Sequence, residues 1–221
     1  MPIPMFGRGA LTAFALVTFA SSSVAQAAEE ETQLWIGASA TMKASPHDIV
    51  VIDIGHRFRR DESGGEQQLA RIALDHSVAE HVQVGGGFAF FHSGPEQELR
   101  TFQQLTFTHS IWQSRTRLEQ RFFDTADEAS WRLRQRIQAA IPLDAAKKWT
   151  LVAAGELFFH LNRARPSDKT GLAVMRQQAG LRHALSKSID VQALYMRQQS
   201  FRDDRPDAVV HVPWLTLNWK I

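Results

Sequence analysis

The chain has no cysteine. That excludes a disulfide framework and every thiolate metal site, and leaves the redox compartment open. Lysine is scarce: of 25 basic residues only Lys43, Lys147, Lys148, Lys169, Lys187 and Lys220 are lysine, and the others are arginine. Net charge is scarce too, at +2 over 221 residues, so bulk electrostatics give no reason to expect a nucleic-acid partner. Past the N-terminal segment no apolar run is long enough for a membrane helix, which needs about 20 residues.

The N-terminal segment has its own pattern. Arg8 precedes an apolar run from Ala10 to Ala20, and small residues follow up to Ala25-Gln26-Ala27. This is the order of a secretory signal, with cleavage expected after Ala27. The run is too short for a membrane anchor. The sequence therefore predicts a signal peptide over 1–27 and a single domain over 28–221.

What the chain has in quantity is arginine at alternate positions. In "SRTRLEQRFFDTADEASWRLRQRIQ", Arg115, Arg117 and Arg121 interleave with Leu118 and Phe122, and Arg132, Arg134 and Arg136 with Leu133 and Ile137. On a helix, residues two apart point about 200° away from each other, whereas on a strand they share a face. The stretch reads as a hairpin around the polar turn "DTADE". The same alternation opposes Ile52 and Ile54 to Asp53 and Arg57, Ile72 and Leu74 to Arg71 and Asp75, Leu157 and Phe159 to Glu156 and His160, and Leu215, Leu217 and Trp219 to Thr216 and Asn218. Residues 102–108 are mixed on both faces. Short links such as "AE" and "SIW" alternate with longer charged ones, among them "DESGGE", "SGPEQE", "NRARPSDKTG" and "FRDDRPD".

The pattern predicts an all-β fold: an antiparallel up-and-down transmembrane β-barrel of about 10–12 strands. Eleven segments are countable. Ten or twelve is the expectation, because bacterial single-chain barrels have an even number. The six tryptophans, Trp35, Trp112, Trp131, Trp149, Trp214 and Trp219, fall near segment ends, where an interfacial girdle would sit. Gln103, Gln120, Gln135 and Gln177 count against the membrane sense, since an amide in hydrocarbon is costly without a partner. A periplasmic lipocalin-like ligand-binding barrel would carry the same alternation with grease inside.

The segments "TQLWIGASA", "RTRLEQRF", "WRLRQRI", "GELFFHLN", "RQQAGLRH" and "HVPWLTLNWKI" together resemble the uncharacterised proteobacterial family known as domain of unknown function 2490. The resemblance covers nearly the whole chain after residue 27. It implies an outer-membrane β-barrel in a Gram-negative bacterium and no reaction.

With grease facing lipid, the other face lines the barrel. It gathers Arg57, Arg59, Arg71, Arg115, Arg117, Arg121, Arg132, Arg134, Arg136, Arg176 and Arg182 against Asp53, Asp75, Glu119 and Glu156. Two acids can organise many guanidiniums by bidentate pairing, so one expectation is a structural ion-pair network centred on Glu119 and Glu156. The other is a narrow anion-preferring passage, because rings of arginine select anions. An outer-membrane lipid-modifying enzyme would need a serine beside His160 and Glu156, and no spacing supplies one. No catalytic, metal or cofactor constellation is expected. The expected partners are outer-membrane lipid, the barrel-assembly machinery and a small anionic solute.

Overall fold

The computed structural model describes residues 28–166 and 168–221, so the segment assigned to the signal peptide lies outside the described residues. The alternating segments are strands: β1 (Glu29–Thr32), β2 (Leu34–Lys43), β3 (Asp48–Phe58), β4 (Gln67–Ala79), β5 (Val82–Ser93), β6 (Glu96–His109), β7 (Trp112–Phe123), β8 (Ser130–Pro142), β9 (Trp149–His160), β10 (Gly171–Ala184), β11 (Ile189–Ser200) and β12 (Ala208–Lys220). One 3-10 turn, Asp61–Ser63, lies between β3 and β4. No α-helix occurs among the described residues.

From β2 to β12 each strand pairs antiparallel with the next. The sheet then closes on itself through β12 and β2, which run parallel, with Leu215 opposite Ile36 and Leu217 opposite Ala38. β1 continues the line of β2 along the same edge of β12, with Glu31 opposite Val210. Gln33 joins them by donating its N–H to the His211 carbonyl at 2.9 Å. β1 and β2 are thus one stave, and the barrel has eleven.

This corrects the expectation of ten or twelve strands in a purely antiparallel barrel. An odd number of up-and-down staves leaves the first and last pointing the same way, so closure must be parallel. It also puts the start of β1 and the end of β12 at opposite rims. The turns 44–47, 80–81, 110–111, 143–148 and 185–188 lie at the rim of the C-terminus, and the loops 59–66, 124–129, 161–170 and 201–207 lie at the other. "SGPEQE", read as a long loop, is a two-residue turn at Gly94 and Pro95, and β6 starts at Glu96.

The pleat turns large apolar side chains outward on every stave; examples are Ile36, Ile54, Leu74, Phe88, Leu105, Phe122, Ile137, Trp149, Leu181, Val191 and Leu217. The polar residues on that side are mostly paired. Gln120 donates to Gln103 at 3.0 Å, and Gln135 accepts from Thr116 at 2.5 Å and donates to Ser114 at 2.9 Å. Trp112, Trp131, Trp149 and Trp219 are exposed on the outer face. Trp35 and Trp214 correct the girdle expectation, because they point inward. Trp35 is 5% exposed and packs with Met196, Val210, Val212 and Trp214 into the apolar cluster of the interior. Their position near a segment end could not distinguish this role, since parity, and not distance from the turn, sets the face of a strand residue.

An arginine-lined cavity inside the barrel

Register decides which inward residues meet. β7 and β8 set Arg117 opposite Arg134 and Arg115 opposite Arg136, and β6 and β7 set Arg100 opposite Arg121. Like charges directly opposite each other are destabilising, so each pair needs an acid nearby. Glu98 serves Arg100 and Arg121. It accepts from Arg100 Nη2 at 2.6 Å and from Arg121 Nη2 at 3.1 Å.

Glu119 serves Arg117 and Arg134. It is 1% exposed, accepts from Arg132 Nε at 2.8 Å and Arg134 Nη1 at 2.6 Å, and lies 3.7 Å from Arg117 Nη1. Glu156 is buried on β9 and accepts from Arg134 Nη2 at 2.7 Å and Arg115 Nη2 at 3.4 Å, with Arg176 Nη1 at 4.0 Å. Arg134 therefore bridges both acids, and its planar fork lets it hold them at once. Asp53 holds Arg71 at 2.6 Å across β3 and β4.

A fifth acid acts through an amide. Asp75 accepts from Gln104 Nε2 at 2.6 Å, and Gln104 Oε1 accepts from Arg117 Nη2 at 2.6 Å. The Asp75 carboxylate lies over Gly85, where a Cβ would come within 2.0 Å of Oδ1 and 2.5 Å of the Leu74 carbonyl. Only glycine leaves room there, so Gly85 is part of how Asp75 reaches the interior.

The remaining expected residues divide. Arg121 answers to Glu98 and not to Glu119 or Glu156. Arg136 finds no acid; its Nη2 donates to Gln138 at 2.7 Å and Gln178 at 3.0 Å, and its Nε is buried without a partner. Arg57 donates to Gln67 at 2.9 Å and likewise keeps a buried, unpartnered Nε. Arg182 lies across from Thr150 and Gln192 toward the turn rim. Arg59 is beyond β3, where its Nε ties the following loop to the Gly65 carbonyl at 2.8 Å, and burial there holds its pKa below the usual arginine value. His160 and Glu156 share a strand face without meeting: His160 Nδ1 is 3.2 Å from the Lys169 carbonyl. Glu98 falls in "SGPEQE", which reads as a loop, and Arg100 lies between it and the mixed residues 102–108, so neither was expected inside the barrel. The alternation Glu98, Arg100, Phe102, Gln104, Thr106 carries the signal.

Aromatic rings separate the guanidiniums. Arg100 lies 3.7 Å and Arg57 5.3 Å from the Phe91 ring centre; Arg57 lies 3.9 Å and Arg176 5.4 Å from that of Trp35. Arg176, Arg134 and Arg132 lie 4.7, 4.5 and 5.1 Å from the Phe158 ring centre. These contacts lead around the inside from β6 through β5, β3, β2, β10 and β9 to β8. Each ring face attracts a cation and shields it from its neighbour. The belt encloses a cavity of about 220 Å³, whose wall takes side chains from every stave except β11. Nine guanidiniums and three carboxylates line it, an excess of six positive charges.

Over 183 residues the chain is 27% identical to MexAM1_META1p0181, an uncharacterized protein of Methylorubrum extorquens, covering 76% of this chain and 78% of that protein. The family model described as protein of unknown function (DUF2490) matches residues 32–209.

Proposed function

The chain belongs to the DUF2490 family, and we propose that it is an outer-membrane β-barrel of a Gram-negative cell with an anion-preferring interior too crowded for a wide pore. The observation that carries this is the sense of the two faces. Every stave turns large apolar residues outward, while the charge faces in. A soluble monomer seldom exposes an apolar patch beyond a few hundred Å². The strands have 10–14 residues in all staves, and a 12-residue strand at a tilt of about 40° spans about 30 Å, enough for a hydrocarbon core. Lipid is then the direct partner, and the barrel-assembly machinery delivers the chain.

The interior sign favours anions. Arginine in excess of carboxylate along a confined path selects them, as rings of Arg or Lys do in anion pores. Ion pairs and aromatic rings occupy most of the cross-section, so conductance should be small. A soluble lipocalin-like barrel has less support because its faces would be reversed. Catalysis has less support because the Glu156 carboxylate is engaged by arginines and His160 turns to a backbone carbonyl.

Cell fractionation and bilayer recording test this together. The protein should fractionate with outer membranes, run faster on gels before heating than after, and show a reversal potential of anion-selective sign under a salt gradient. A freely soluble periplasmic protein would end the membrane reading. Cation selectivity would end the anion reading.

A further inference from the structure

The excess charge is not spread evenly around the cavity. Most belt arginines have a carboxylate in reach, but Arg57 does not: its contacts are the Gln67 amide and the faces of Trp35 and Phe91. Its Nε is buried and unpartnered. Arg176 lies over the same Trp35 ring, held by Gln198 Oε1 at 2.7 Å and only distantly by Glu156 at 4.0 Å. Two guanidiniums are therefore gathered at one indole with little negative charge between them. A cation held in the interior without a carboxylate partner is destabilising. A void lined by such groups is the setting that an anion relieves.

We propose that the cavity is a binding site for one small inorganic or carboxylate oxyanion, taken by the N–H edges of Arg57 and Arg176. This rests on the anion-preferring interior and assigns it a fixed site and a ligand class. Stacking supplies the specificity. A guanidinium laid on an aromatic face is fixed in plane, so its donors point sideways in a fork that matches the paired oxygens of phosphate, sulfate or carboxylate. A spherical halide offers one acceptor atom to a fork built for two and binds less well. The cavity of about 220 Å³ admits a tetrahedral oxyanion and not an extended chain. The apolar cluster of Trp35, Met196, Val210, Val212 and Trp214 covers one side and keeps that wall dry. Low local polarity strengthens each charge-assisted hydrogen bond.

The test uses the purified full chain in detergent, with the folded barrel scored by heat-modifiable gel mobility. Thermal unfolding is followed in millimolar inorganic phosphate or sulfate against chloride at equal ionic strength. Wild type should show a saturable rise in midpoint with the oxyanions and a smaller one with chloride. Sulfate and phosphate also stabilise proteins generally by exclusion, but that effect does not saturate at millimolar concentration. In Arg57→Gln the saturable rise should vanish, while the midpoint without added oxyanion should equal or exceed wild type, because a surplus buried cation has gone. Arg57→Lys keeps the charge and loses the fork, so it should bind at least tenfold more weakly. No saturable rise in wild type, an undiminished rise in Arg57→Gln, or failure of both Arg57 variants to fold would each overturn the site. Loss of heat-modifiable mobility in wild type would count against the membrane barrel and leave the midpoint shift as an independent reading of the cavity.

Discussion

Glu119 sits where loss of a carboxylate's charge should be felt most. It is 1% exposed and holds Arg132 and Arg134 with Arg117 close by. Replacing it with glutamine keeps the volume and leaves those guanidiniums facing one another. Breaking a buried pair in this way costs about 3–5 kcal/mol. Glu119→Gln should therefore lower the unfolding midpoint far more than Asp203→Asn, whose parent is an exposed loop acid bonded to Lys169. Comparable urea or thermal midpoints for the two variants would show that water reaches Glu119 and screens its arginines. The positions of Arg115, Arg117, Arg132 and Arg134 on one face follow from spacing alone. Their partners do not. That Arg121 meets Glu98 across β6, and that Arg136 meets only amides, depends on a register the linear sequence does not state.

Strands and turns were legible to different degrees. Segments with strict alternation, such as β3, β8 and β12, announce their faces. β6 does not, because Thr101, Gln103 and Thr106 blur both parities, and the turn Gly94-Pro95 sits beside two glutamates that look like loop. Sequence reasoning placed Glu98 outside the barrel for that reason. The β8–β9 turn offers a prediction of its own. Asp144 accepts from the Trp149 N–H at 2.7 Å and the Lys148 N–H at 3.1 Å. Those bonds hold its carboxyl below the usual carboxylate range. A depressed folded pKa stabilises the turn above the unfolded value of about 3.9, and the contribution is lost as pH falls through the folded value. Hydrogen exchange at the Trp149 and Lys148 amides, corrected for intrinsic rates, should stay slow from pH 7 to 5 and quicken below pH ~4. Asp144→Ala should remove the protection at every pH. Protection that ignores both pH and the substitution would mean the carboxylate does not cap this turn.

The whole molecule inverts the usual arrangement of a soluble protein, and that inversion can be tested by one charge. Ile54 is 59% exposed at the middle of β3. On the proposed membrane reading, arginine there faces hydrocarbon at a cost of about 2–4 kcal/mol near the bilayer midplane. Ile54→Arg should reduce the folded, fast-migrating form in membranes, whereas Gln113→Arg, one residue inside the turn rim of β7, should not. Equal assembly of both would mean the outer face does not meet lipid. The seam adds a second property of the whole. Eleven staves close through the parallel pairing of β12 and β2, so neither strand has a free edge for another chain to join.

The sequence by itself determined the alternation and hence the all-β class, the division of side chains between two faces, and the family. Those are local properties: a two-residue period is set within each strand and needs no partner. The tertiary structure decided what depends on closure and register. It made the stave number odd and the seam parallel, and turned Trp35 and Trp214 inward as members of the apolar cluster. It gave Glu98, Glu119 and Glu156 their different arginines and left Arg57 and Arg136 without a carboxylate. The physical reason is that cross-strand pairing and the curvature of the barrel bring together residues that are tens to more than a hundred positions apart. Trp35 and Arg176 meet over one ring only because β12 returns to β2.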